Sequence, residues 1–163
     1  MLEKQYCVKY HINDTLVHKQ HMMNSCLKMI NHLYSVGKYD LALELAKRAV
    51  IHDNSKFNND EIELFIKIPR REDSIKDCSL LLDDQKKLLK LHWSHNSHHP
   101  EHFNDYHEMS EVDIIEMCCD WHARSQQFKN DFLEYVKSVP KDRFGFDDQF
   151  FNKIFEYCLV LYR

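Results

Sequence analysis

The residues of this chain best suited to chemistry are an adjacent pair, His52 and Asp53, in the stretch Val50-Ile51-His52-Asp53-Asn54-Ser55-Lys56-Phe57. The pair ends an apolar, helix-like run from Leu41 to Ile51. A neutral imidazole and a carboxylate placed where a helix stops can both turn toward one divalent cation. The rest of a coordination shell is spread along the chain: His18 upstream, five histidines between His92 and His102, and Asp120 downstream. Asp120 stands beside Met117, Cys118 and Trp121, and an ionised carboxylate among apolar neighbours must be paired, hydrogen-bonded or metal-bound. Two imidazoles with two carboxylates make a mixed nitrogen and oxygen shell open to Mn²⁺, Fe²⁺, Co²⁺, Ni²⁺, Zn²⁺ or Mg²⁺. Such a set, on an ion that takes more ligands, leaves room for water and substrate, which separates a catalytic site from a structural one.

Helices must carry these residues. The chain has only two glycines and three prolines, the residues that punctuate turns, so the expected fold is all-α: one helical bundle of five to seven helices. The first helix is predicted over 14–36, capped by Asp14, with Leu16, Met23, Leu27, Ile30 and Leu33 as its apolar positions and Gly37 as its stop. Asp40 is the expected cap of a second helix that ends near Ile51. A turn at Asn54-Ser55 leads to a short helix over 59–68, closed by Pro69, and then to a polar, mobile loop over 70–79. Asp83 or Asp84 should open the helix that delivers His92, which Pro100 breaks. Ser110 with Asp113 resembles a capping box at the start of a helix running to Val139, ahead of Pro140. A last helix spans 147–161, with Phe150, Phe151, Ile154, Phe155, Tyr157 and Cys158 as core candidates.

The chain of 163 residues suits a single domain, with a motif core over about 15–128 and C-terminal helices, 129–163, packed on it. A formal charge of −4 and the lack of any long basic block exclude an extended nucleic-acid surface, because phosphate neutralisation needs clustered Lys and Arg. A small phosphorylated partner, a nucleotide for example, is still compatible. Six cysteines without a C-x-x-C pair read as reduced, buried thiols, and no signal-peptide core or spanning apolar run occurs. The expectation is a cytoplasmic protein without a membrane segment, with a homo-oligomer compatible with the sequence.

The order His18, His52-Asp53, Asp120 resembles the HD superfamily of metal-dependent phosphohydrolases. Three motifs narrow the likeness: HD-x-SKF at 52–57, N-x-HH at 96–99 and EM-x-x-DW at 116–121 are similar to those of the DUF5662 family, over roughly residues 15–128. The superfamily resemblance implies a metal-dependent phosphohydrolase whose ion is held by His18, His52, Asp53 and Asp120. It also implies a second ion on His92 and His99, with His98 next, bridged by Asp53. Many of these enzymes carry a glutamate three residues after the HD aspartate, where this chain has Lys56. Lysine cannot act as an anionic base but can neutralise a phosphate. Asp53, Lys56 and His95 are therefore the expected catalytic residues, and Lys56, Arg124 and Asn96 the expected substrate-binding ones. Arg124 is equally suited to an ion pair with Asp120 or Glu116, and Asp113 and Glu116 to capping or pairing. His21 suits the outer shell or the surface. His102 and His107 read as loop-surface groups, His11 and His32 as solvated, and Trp93 and Trp121 as core. The alternatives to a phosphohydrolase are a mixed-valent diiron oxygenase of HD type and a non-catalytic module binding metal or nucleotide.

Overall fold

The computed structural model describes residues 2–66 and 79–163, which form seven α-helices and no strand. The helices are α1 (Leu2–Ser35), α2 (Tyr39–Ile51), α3 (Asn59–Phe65), α4 (Ser79–His95), α5 (Glu111–Phe128), α6 (Phe132–Phe144) and α7 (Asp148–Tyr162). Short 3₁₀ turns lie at Asn54–Phe57, Pro100–His102 and Tyr106–Glu108. The polar loop expected over 70–79 falls, except for Ser79, outside the described residues, as do Ile68 and Pro69.

α5 is the central element. From Asp113 to Trp121 every residue is buried, between α1, α2 and α7. Its start is set by Ser110, whose hydroxyl accepts from Asp113 N while the Asp113 carboxylate accepts from Ser110 N, the expected reciprocal cap. α1 meets α5 and α2 along a stripe of His11, Thr15, His18, Met22, Cys26, Met29 and Leu33, all buried and spaced three or four apart. This corrects the expected apolar face: Leu33 is in the core, whereas Leu16, Met23 and Leu27 are exposed on a neighbouring stripe. The first half of the buried stripe is polar because it faces a polar centre.

Other boundaries also shift. α1 begins well before Asp14, which sits inside it and accepts from Gln127 Nε2 at 2.8 Å. Lys38, rather than Asp40, is the cap position of α2, and α4 opens at Ser79, ahead of Asp83. α4 ends at His95, and Pro100 opens a 3₁₀ turn. The single helix expected from Ser110 to Val139 is two: Lys129 adopts a left-handed conformation (φ 55°) and Asp131 caps α6 by accepting from Glu134 N. Pro140 lies inside α6, which stops only at Gly145 (φ 68°). Gly37 (φ 78°) stops α1 as expected, and Asp147 caps α7. On α7, Phe150, Ile154, Tyr157 and Cys158 are buried, while Phe151 and Phe155 pack at the core's edge.

Candidate metal centre

α1, α2 and α5 each bring one piece of the centre to the same point. His18 is fully buried on the core-facing stripe of α1, and Asp120 lies mid-way along α5. α2 stops at Ile51, so His52 and Asp53 leave it as a turn. Asp53 is left-handed (φ 55°, ψ 21°), a region where aspartate is tolerated better than most side chains.

The expected first set of ligands converges. His18 Nε2 lies 3.3 Å from His52 Nε2, 2.9 Å from Asp120 Oδ1 and 3.7 Å from Asp53 Oδ2. His52 Nε2 is 3.5 Å from Asp53 Oδ2 and 3.7 Å from Asp120 Oδ1. The second set gathers on the other oxygen of Asp53: Oδ1 lies 3.3 Å from His92 Nε2 and 3.6 Å from His98 Nε2. His99 completes it, with ligand atoms of Asp53, His92, His98 and His99 all within 4.8 Å of one another. One carboxylate therefore faces two groups of imidazoles, one with each oxygen.

Two glutamates behind the centre orient these rings. Glu116 Oε1 accepts from His52 Nδ1 at 2.8 Å and lies 3.4 Å from His98 Nδ1, while its Oε2 accepts from Arg48 Nε at 2.5 Å. Glu61, fully buried on α3, takes His92 Nδ1 at 3.0 Å and His95 Nδ1 at 2.8 Å. With Nδ1–H donated backward, Nε2 of His52 and His92 is left to face the centre, the outer-sphere arrangement usual for metal-bound histidine. Pairing was expected of Glu116. Glu61 has no signal in the sequence: it is one acid among several in a polar segment.

Burial disfavours charge on His52, but the Asp53 charge and hydrogen bonds to Asp120 and Glu116 push its pKa up to about 10. Burial likewise works against ionised Asp53, Asp120 and Glu116, yet the surrounding imidazoles hold all three well below the usual carboxylate range, with Lys56 adding to the effect at Asp53. His18 and His99 go down, because their burial outweighs the nearby acids. Asp53 Oδ1, His98 Nε2 and His99 Nε2 are buried without any hydrogen-bond partner. Leaving such atoms dry costs about 1–3 kcal/mol each. A divalent cation would satisfy them together, and the buried His and Asp groups fit one.

The other expected residues are close by. The Lys56 ammonium is buried against Asp53 Oδ2 and 5.9 Å from the centre of the Phe65 ring. His95 is part-exposed, tied to Glu61, and outside both ligand sets. Asn96 Nδ2 donates to Ser55 Oγ and His92 O, so it locks the end of α4 onto the HD turn. Arg124 neither pairs with Asp120 nor with Glu116; it bonds Gln127 and lies 3.8 Å from Asp14. His11 is buried rather than solvated: it stacks on Phe65, and its Nε2 is 3.0 Å from Lys56 O. Asp113 caps α5 and pairs with Arg48 at 2.6 Å. Trp121 is buried and Trp93 half-buried.

Two cavities reach the centre. One, of about 220 Å³, runs from Asp120 and His99 between Trp121, Tyr135 and Phe144, with Arg124 and Arg143 among its lining residues. The other, of about 420 Å³, reaches His52, His98 and Glu116 and is lined by His95, Asn96 and Ser97. No helix among the described residues is long and apolar enough to cross a membrane, and the five cysteines described there are free thiols. Compared with known proteins, residues 7–158 match the model of a family of unknown function, DUF5662. No curated protein and no solved structure matches the chain.

Proposed function

We propose that this chain, which belongs to the DUF5662 family, is a metal-dependent phosphohydrolase of HD type acting on a nucleotide or a related small phosphate ester. The observation that carries the reading is the position of Asp53, one oxygen toward His18 and His52 and the other toward His92 and His98, with two cavities that each reach one residue of both groups, Asp120 with His99 and His52 with His98. That donor set suits one or two ions of Mn²⁺, Fe²⁺, Co²⁺, Ni²⁺, Zn²⁺ or Mg²⁺. When bound, the cation supplies Lewis acidity toward a phosphoryl oxygen and lowers the pKa of water toward neutrality.

The chain's own residues do the rest. Arg124 and Arg143, at the smaller cavity, offset negative charge on phosphate oxygens. Lys56 holds Asp53 in place and, as a fixed cation, favours an anionic substrate beside it. His95 donates Nδ1–H to Glu61, which leaves its Nε2 lone pair unengaged by that bond, and the residue is part of the larger cavity's lining. It is the proton-transfer group in this reading, because its imidazole is outside both ligand sets.

The test is metal analysis of the purified protein together with phosphate release from a panel of nucleoside mono- and triphosphates under several divalent metals. Asp53→Asn should abolish release. Full activity in that variant, or no release from any ester with any metal, would overturn the reading. A second reading, a mixed-valent diiron oxygenase, is favoured by the three imidazoles of His92, His98 and His99 around Asp53. Anaerobic loading with Fe²⁺ followed by partial oxidation would give a mixed-valent EPR signal in that case. Turnover with redox-inert Mg²⁺ or Zn²⁺ would exclude it.

A further inference from the structure

The exposed apolar side chains of this protein are not scattered. Of the thirteen large ones among the described residues, eleven lie between Tyr10 and Ile51, on α1, α2 and the turn that joins them. On α1 the main run is Leu16, Met23, Leu27 and Tyr34, spaced seven, four and seven apart, with half-buried Ile30 in the gap. On α2 it is Tyr39, Leu43 and Val50, spaced four and seven. Each set follows one helical face. The two helices run antiparallel and pack together, and they stay in contact at both ends of the stripes. At one end the Tyr34 and Tyr39 rings meet edge-on at 4.8 Å, and at the other Lys19 Nζ reaches the Val50 carbonyl at 3.4 Å. This strip adjoins the buried stripe of α1 that carries His18, so it lies to the side of the metal centre.

We infer that this two-helix face is the interface of a homodimer, each copy laying α1 and α2 on the same helices of the other. Area is the first argument. The seven side chains are 45–66% exposed. At roughly 150–200 Å² for each when free, they present on the order of 700 Å². The largest apolar patch on a typical monomer is about 300–600 Å², and one side of a stable interface is about 800 Å². Charge is the second argument. Lys47 and Glu44, beside the strip, pair with each other at 3.2 Å, while Lys19, held by the His52 carbonyl at 2.5 Å and Asn54 Oδ1 at 2.8 Å, is balanced in charge by the exposed Asp40 at the start of α2. The face thus offers no excess of either sign to select an oppositely charged partner, and no basic rim to favour a lipid surface. A second copy matches it by symmetry: two antiparallel helices on two more, about a twofold axis, give a four-helix arrangement with no edge left over.

Sedimentation equilibrium on the full chain, from roughly 1 to 50 µM, tests this. The wild type should show twice the 19.8 kDa of one chain. The double variant Leu27→Glu, Leu43→Glu should sediment as a single chain, its dissociation constant raised at least about 100-fold, because pairing would desolvate four unpartnered carboxylates. Both positions are exposed, at 58% and 59%, so the helical circular dichroism should be unchanged. A single-chain mass for the wild type at every concentration would overturn the inference, as would a dimer that survives both glutamates. So would a monomer that co-sediments with neutral or anionic lipid vesicles, which would give the strip to a lipid surface instead.

Discussion

Glu116 touches one histidine from each ligand set, whereas Glu61 touches a histidine of one set only, and that asymmetry can be measured. In Glu116→Gln the carboxylate that accepts from His52 Nδ1 at 2.8 Å, and lies 3.4 Å from His98 Nδ1, becomes an amide with a single acceptor oxygen. Removing an outer partner of a metal-bound histidine typically costs 10–100-fold in affinity, about 1.4–2.7 kcal/mol. The short bond to His52 places the loss on the His18, His52 and Asp120 side near about 100-fold. The longer approach to His98 places the loss on the other side near about 10-fold. Glu61→Gln alters the partner of His92, at 3.0 Å, and of His95, which belongs to neither ligand set, so only the set on Asp53 Oδ1 should weaken. The fold should survive Glu116→Gln because Arg48 keeps Asp113 at 2.6 Å and Ser97 at 2.8 Å. The assay is a Mn²⁺ titration of metal-free protein, resolved into two binding classes, with circular dichroism as the control on folding. Glu116→Gln should weaken both classes and Glu61→Gln one. If both variants weaken the same single class, or neither weakens any, the two-sided arrangement around Asp53 is wrong.

Three more outcomes follow from the same structure. His52, with its pKa pushed up to about 10, carries a proton at neutral pH in the metal-free protein and must lose it to bind a cation, so calorimetry in buffers of different ionisation enthalpy should find proton release on metal uptake, and affinity should fall as the pH drops below about 10. The sign for metal-free stability is the reverse: a raised histidine stabilises fully below its unfolded value near 6.5 and the contribution is lost as the pH rises through about 10, which thermal melts across that window would detect. Arg143→Ala should raise KM for a phosphate ester about 10-fold with kcat within about twofold, because Arg143 is stacked 4.6 Å over the Phe144 ring at the smaller cavity and touches no ligand residue; a fall in kcat at constant KM would place it elsewhere in the reaction.

The helical character of the chain, the cap at Ser110, the stop at Gly37 and the convergence of His18, His52, Asp53 and Asp120 are all readable from residue types and spacing. Four features are not, for physical reasons. Apolar periodicity on α1 points to Leu16, Met23 and Leu27, yet the face turned inward holds His11, Thr15 and His18, because polar side chains with buried partners, Phe65 and Lys56 O for His11 and Asp120 for His18, fill core positions as leucines do. The break between α5 and α6 has neither glycine nor proline: Lys129 takes a left-handed turn that its side chain does not announce. Pro140 looks like an end and is interior, since losing one backbone bond late in α6 does not stop the helix before Gly145. Glu61 was hidden for a different reason. A carboxylate behind a histidine is defined by a contact across 31 positions of chain, and no local pattern encodes that.

The left-handed backbone of Asp53 narrows what this position can ever become. Asparagine would sit in the turn without complaint but bring no anion, and glutamate would keep the anion while fitting the turn badly. Glycine would relax the turn and offer nothing at all. Conformation and the metal binding proposed for Asp53 thus make separate demands on one codon, and aspartate answers both.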